Sequence, residues 1–76
     1  MDRKEAVLRA FGQQLAVLRK EKKLSVRELA AAAGIREAQL RRIEAGKVNI
    51  LLSSIMALSK ALGINPEELL QSLDRG

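Results

Sequence analysis

Apolar residues recur at steps of three and four through the start of the chain, which predicts an amphipathic helix over residues 3–22. The apolar stripe of this helix consists of Val7, Leu8, Phe11, Leu15 and Leu18. Asp2 is the expected N-cap, with Glu5 following three residues later. The helix therefore has one face for a core and one for solvent.

The stretch 25–28, Ser-Val-Arg-Glu, has the spacing of a capping box. In this motif the Ser25 hydroxyl accepts from the Glu28 amide while the Glu28 side chain reaches back. A second helix therefore starts at Ser25, runs to Ala33 and ends at Gly34, because glycine readily adopts the left-handed conformation that closes a helix.

A third helix is predicted over about residues 36–45, with Leu40 and Ile43 facing inwards. Four alanines, residues 30–33, let the second helix lie close to its neighbour, and Gly34 permits a sharp reversal between the two. That geometry is a helix-turn-helix over about residues 25–45.

Two further helices complete the chain. The fourth ends at Gly63 and is marked by Leu52, Ile55 and Leu58. The fifth begins after Asn65 as N-cap, with Pro66 at its first position. Since nothing alternates with period two, the sequence predicts an all-α fold of five short helices in one domain, residues 1–76.

The outward face of the third helix carries the candidate chemistry: Arg36, Glu37, Ala38, Gln39, Arg41 and Arg42. Guanidinium groups pair with guanine edges and amides with adenine in the major groove of DNA. The alternative interpretation is a basic surface on an ordinary helical hairpin.

Charge supports the first interpretation. The net charge is +5 with a pI of about 10.3, and the basic excess lies in the first two-thirds of the chain. Clustered Lys and Arg are typical of proteins that bind a polyanion. The chain has no Cys and no His, so we expect neither disulfides nor a structural metal site. We also expect no cofactor and no small-molecule ligand. Oligomerisation is then the remaining support for so small a core.

Other functional classes are disfavoured. The serines have no His partner, and the Glu67-Glu68 pair is better explained as charge at a helix N-terminus than as an acid/base pair, so no enzyme activity is expected. The apolar runs are too short to span a membrane, and no leader segment is evident, which predicts a cytoplasmic protein.

Residues 15–70 resemble the Cro and phage-repressor class of helix-turn-helix domains, also called the xenobiotic-response-element family. The resemblance rests on LRKEKKLS before the second helix, ELA and GI around the turn, RRIEAG at the end of the third helix, and ALGINPEEL. It also extends, more narrowly, to small controller-type regulators. It implies a lambda-repressor-like fold and a transcriptional regulator that binds double-stranded DNA.

The resemblance also implies roles for individual residues. It makes Arg19 and Glu44 a structural ion pair. It assigns base contacts to Arg36, Glu37, Ala38 and Arg42, with Gln39 and Arg41 flanking them. It assigns phosphate contacts to Ser25, the amide of Val26, Lys47 and Asn49. Val26, Lys23 and Leu51 depart from the residues common in the family, as does Arg36 at the start of the third helix.

Two functions follow as hypotheses. The first is a homodimer on an inverted-repeat operator, with its dimer surface formed by Ile50, Leu70 and Leu73 and exposed parts of the fourth helix; for Ile64 and Leu69 the core is the favoured location. The second is a protein-interaction module, such as an antitoxin-type adaptor, that retains the helix-turn-helix scaffold. Salt separates the two, because phosphate-driven binding weakens steeply as salt rises and apolar contacts do not.

Overall fold

The structure, a computed structural model, describes residues 2–71, and these form five α-helices and no strand. In chain order the helices are α1 (Arg3–Glu21), α2 (Val26–Ala33), α3 (Glu37–Glu44), α4 (Leu52–Leu62) and α5 (Pro66–Leu70). The predicted all-α class with five helices is confirmed.

Local hydrogen bonds close the N-termini of α1 and α5 at the residues that the sequence predicts as N-caps. The Asp2 carboxylate accepts from the Glu5 amide at 2.8 Å and caps α1. At α5 the Glu68 carboxylate accepts from the Asn65 amide at 3.0 Å. These contacts satisfy amides that a helix N-terminus would otherwise leave without a partner.

The turn between α2 and α3 depends on Gly34, which closes α2 with a φ of 73°. The Ile35 amide then donates to the Ala30 carbonyl at 3.0 Å, and Ile35 is half-buried against the core. A residue with a side chain rarely adopts this φ, so the reversal depends on glycine at this position.

The hydrophobic core draws residues from every helix. Its members are Phe11, Leu15, Leu29, Ala30, Leu40, Ile43, Ile55, Leu58, Leu62 and Leu69. Helix α2 packs against α3 and α4, and α1 packs against α3 and α5. The inner face of α3 is therefore fixed by both α1 and α2, and its outer face is exposed in the part of the chain that the structure describes.

No helix within residues 2–71 is long and apolar enough to cross a membrane.

Candidate nucleic-acid interface

Helix α3 presents two contrasting faces. Leu40 and Ile43 are buried at 0% and 3% exposure. At about 100° per residue, Ala38 lies nearly opposite them, with Arg42 beside it. Of the six candidate base contacts, four are exposed and two are partly buried. The exposed four are Arg36, Ala38, Arg41 and Arg42, and the partly buried two are Glu37 and Gln39.

Four of these candidates line one shallow depression together with the segment that follows α3. Its walls are formed by Arg36, Ala38, Gln39 and Arg42 from α3, and by Val48, Asn49 and Leu51. Arg36 is the N-cap of α3 and makes no capping hydrogen bond with its side chain. Two guanidinium groups, two amides and three small or apolar side chains thus converge on one surface.

Glu37 and Arg41 lie one turn apart and form an ion pair with each other. The Arg41 guanidinium donates to the Glu37 carboxylate at 2.6 Å, and the two side chains are 63% and 41% exposed respectively. Neither residue lines the depression. The pair therefore flanks the surface formed by Arg36 and Arg42, and Glu37 partly neutralises Arg41.

The start of α2 is closed by the predicted capping box. The Ser25 amide donates to the Glu28 carboxylate at 2.9 Å, and the Glu28 amide donates to the Ser25 hydroxyl at 3.0 Å. The Ser25 amide foremost, and then its hydroxyl, hold the pKa of Glu28 below its ordinary value of 4.5. Val26 is half-buried against the core, so only its amide is available to a phosphate.

Arg19 joins three elements through one guanidinium group. Its Nε donates to Glu44 Oε2 at 2.7 Å and its Nη2 to Glu44 Oε1 at 3.1 Å, a two-pronged ion pair. Its Nη1 donates to the Leu24 carbonyl at 2.8 Å. Arg19 therefore fixes the end of α3 and the approach to α2 relative to α1, which is a structural role.

The remaining candidate phosphate contacts lie after α3. Lys47 and Asn49 are both exposed. The Lys47 amide donates to the Arg42 carbonyl at 3.0 Å, which fixes the loop to the last turn of α3. Asn49 shares the depression with the residues of α3, whereas Lys47 lies beside the N-terminal half of α1.

The candidate dimer residues fall in different environments. Ile50 and Leu70 are half-buried and pack against the core, and Leu69 is fully buried within it. Leu73 lies outside the described residues. The large apolar side chains that are exposed are Val17 at 50%, Leu51 at 63%, Leu52 at 71% and Met56 at 52%.

One feature of the site was missed by the sequence reasoning, and one departure from the family pattern, at Lys23, has a structural consequence. Gly12, inside α1, lies against the backbone of α3; a glycine within a helical pattern was the available signal. Lys23 has a φ of 60°, the left-handed conformation in which glycine is favoured.

Comparison with known proteins agrees with this geometry. The helix-turn-helix family model, of the Cro/C1 type, matches residues 15–69. The chain is 41% identical over 64 residues to the HTH-type transcriptional repressor RghR of Bacillus subtilis strain 168. That match covers 83% of this chain and 47% of the relative, so the chain spans about half the length of that protein.

Two solved structures are similar in fold. The restriction-modification controller protein C.AhdI from Aeromonas hydrophila superposes with a TM-score of 0.83 at 41% identity, covering 84% of this chain and 97% of that one. The clp gene regulator ClgR from C. glutamicum gives a TM-score of 0.84 at 25% identity, covering 91% and 90% of the two chains. None of these names describes an enzyme.

Proposed function

The chain belongs to the Cro/C1-type helix-turn-helix family of DNA-binding transcriptional regulators, and we propose that it binds an inverted-repeat operator as a homodimer. In this proposal α3 enters the major groove and reads base edges. The observation that carries it is the shared depression on the outer face of α3.

The residues in that depression match the chemistry of base pairs. A guanidinium group such as that of Arg42 donates two hydrogen bonds to guanine, and an amide such as that of Gln39 pairs with adenine. Ala38 is small enough to let α3 approach the bases, and its methyl group contacts that of thymine. We assign Arg36, at the helix start, to a guanine or an adjacent phosphate.

Phosphate contacts on either side set the position of α3. The capping box engages the amides of Ser25 and Glu28, which leaves the Val26 amide at the N-terminus of α2 to donate to a phosphate. Lys47 and Asn49 supply exposed side chains beyond the other end of α3. Such contacts fix register without reading sequence.

We assign the Glu37–Arg41 pair to the edge of the interface. A carboxylate near the phosphate backbone is repelled unless a cation neutralises it, and Arg41 does so at 2.6 Å. The Glu37 carboxylate also interacts favourably with the helix dipole at the N-terminus of α3. The pair thereby limits non-specific attraction at one edge and leaves Arg42 as the freely available guanidinium of the helix body.

A second copy is needed for useful specificity, because one recognition helix reads only a few base pairs. The surface that we assign to this contact is the exposed part of α4, Leu52 and Met56, which lie one turn apart on the same helix face. A two-fold contact would bury both leucines and both methionines. Ile50 and Leu70 then support this surface from within the core.

The test is selection from a randomised duplex pool, followed by anisotropy titrations at two salt concentrations. We expect an inverted repeat whose half-sites are centred about 10 base pairs apart. Arg42→Ala should cost about 1–3 kcal/mol at one base position and relax specificity there. Arg3→Ala, at the exposed start of α1, is the control and should leave specificity unchanged.

Failure of this selection would be informative. If no sequence is enriched and binding is weak at both salt concentrations, the regulator proposal is wrong. The helix-turn-helix would then be a scaffold for a protein partner.

A further inference from the structure

The turn between α1 and α2 carries a cluster of lysines that the base-reading surface does not use. Lys20, Lys22 and Lys23 are all exposed, and we call them the lysine turn. Within residues 2–71, the ion pairs are Arg19–Glu44 and Glu37–Arg41, so none of the three ammonium groups is neutralised by a carboxylate. Glu21 lies between Lys20 and Lys22 in the sequence, so residues 20–23 carry three positive charges and one negative, a net charge of +2 exposed to solvent.

Lys23 has an unfavourable backbone conformation. Its φ of 60° makes it the one residue other than glycine with a positive φ in the described part of the chain. Its amide donates to the Lys20 carbonyl at 2.9 Å, which holds the turn closed. A β-carbon is disfavoured in this conformation, and glycine would adopt it more readily. The presence of lysine therefore points to a use for its side chain.

Stabilisation of α1 does not explain this charge. Cations near the carboxyl end of a helix interact favourably with its dipole within the last turn. Arg19 and Lys20 already lie in the last turn of α1, and Lys22 is its C-cap. Lys23 lies beyond the cap, where a further cation adds little to the helix.

The position of the turn relative to α3 is fixed by Arg19. The guanidinium that holds Glu44 at the end of α3 also holds the Leu24 carbonyl, the residue directly after Lys23. Leu24 is followed by Ser25, the N-cap of α2. The lysine turn is thus rigidly connected both to the recognition helix and to the N-terminus that we assign to a phosphate.

We propose that the lysine turn binds phosphates of the DNA backbone next to the one held by the N-terminus of α2. The surface fits duplex DNA because the three exposed lysines outnumber the one carboxylate among them, Glu21, and directly precede the N-terminus of α2 that we assign to a phosphate. This inference rests on the proposed function, since it requires that the chain bind DNA. It extends the footprint beyond the residues that read bases.

The test uses Lys23→Gly, which removes the charge and gives the backbone its preferred residue. We expect an equal or higher melting midpoint. Each phosphate contact contributes about −0.9 to the slope of log Kobs against log salt, so the slope should become shallower by about 0.9 per bound subunit. The loss of affinity should be equal on a selected duplex and on a random-sequence duplex, because phosphate contacts carry no sequence information.

Two further variants complete the design. Asparagine also tolerates a positive φ, so Lys23→Asn should give the same change in slope. This variant shows whether the effect is peculiar to glycine. Arg3→Ala removes the same charge from the exposed start of α1, outside every surface assigned to DNA or to the dimer, and should leave the slope unchanged.

Each outcome decides between the proposals. If the parent binds DNA and Lys23→Gly keeps the parent slope, or changes it only as much as Arg3→Ala does, the lysine turn does not contact phosphate and the regulator proposal survives. If the parent binds neither duplex at low salt, both proposals are wrong.

Discussion

Gly12 of α1 lies directly against the backbone of Glu44 at the end of α3. A β-carbon placed on Gly12 would come within 2.4 Å of the Glu44 carbonyl oxygen and 2.5 Å of that of Ile43. The Glu44 side chain meanwhile reaches Arg19, two turns further along α1. Helix α1 thus holds the end of α3 in two ways, through the backbone of Glu44 at Gly12 and through the Glu44 side chain at Arg19.

This contact predicts that Gly12→Ala destabilises the protein. Alanine would favour an isolated helix by about 1 kcal/mol. Here the added methyl group meets backbone that has no rotamer to change, so α1 and α3 must move apart. We expect a net loss of about 1–3 kcal/mol in the free energy of unfolding, as for overpacked cores. Urea unfolding followed by circular dichroism measures it.

The control is Gln13→Ala, at the neighbouring exposed position of α1. It introduces alanine into the same helix, with a smaller gain in helix propensity and without the contact, and should change stability by less than about 0.5 kcal/mol. A Gly12→Ala protein more stable than the parent would show that α1 and α3 separate freely.

The Arg19–Glu44 pair predicts a large loss on removal of either partner. Both side chains are about nine-tenths buried, at 11% and 12% exposure. Glu44→Gln leaves the guanidinium without a charge partner in a desolvated position, and we expect a cost of about 3 kcal/mol. Arg19→Met should cost a similar amount, and it also leaves the Leu24 carbonyl without its donor.

The matched control is Glu37→Gln on α3. Its partner Arg41 is an arginine, as in the Arg19–Glu44 pair, and the distance between the charged groups is similar. Here, however, the Arg41 side chain is 63% exposed and that of Glu37 is 41% exposed. An exposed helical pair contributes about 0.3–0.5 kcal/mol. Equal losses for Glu37→Gln and Glu44→Gln would contradict the view that burial decides the contribution of the Arg19–Glu44 pair.

The helices and their starts followed from sequence because their causes are local. Asp2, Ser25 and Asn65 lie within three residues of the groups they engage. Gly34 acts through its own φ. Such signals lie within a short window of sequence, and three- and four-residue periodicity then identifies the faces between them.

The remaining features depend on contacts between distant segments. Nothing near Gly12 in the sequence indicates that Glu44 will approach it. Leu69 and Leu52 are both leucines in amphipathic segments, yet one is 0% exposed and the other 71%. Which apolar residues are covered depends on the packing of α4 and α5 against α1 and α2, and periodicity alone does not determine that packing.

Glu28 predicts a pH dependence of stability. The Ser25 amide holds the folded-state pKa of Glu28 below its ordinary value of 4.5. This stabilisation is therefore present above pH 4.5 and is lost as the pH falls through the lower folded-state value. We expect Glu28→Gln to melt below the parent at neutral pH, with the difference narrowing in acid. Thermal melts across the acid range measure this, and a constant difference would contradict it.

The exposed apolar face of α4 predicts that charged substitutions on this face weaken self-association. Leu52→Glu with Met56→Glu should give a monomer by sedimentation while leaving the melting midpoint of the dilute protein nearly unchanged, since these side chains are 71% and 52% exposed. A buried leucine contributes about 1.5–3 kcal/mol, and two copies would be lost, so the dimer should weaken by roughly 100-fold or more. Val17→Glu, at a 50% exposed position on α1, is the control. If Val17→Glu dissociates the dimer and the α4 variant does not, the two copies meet through α1. The proposed dimer surface on α4 would then be wrong, and so would the arrangement of the two α3 helices that depends on it.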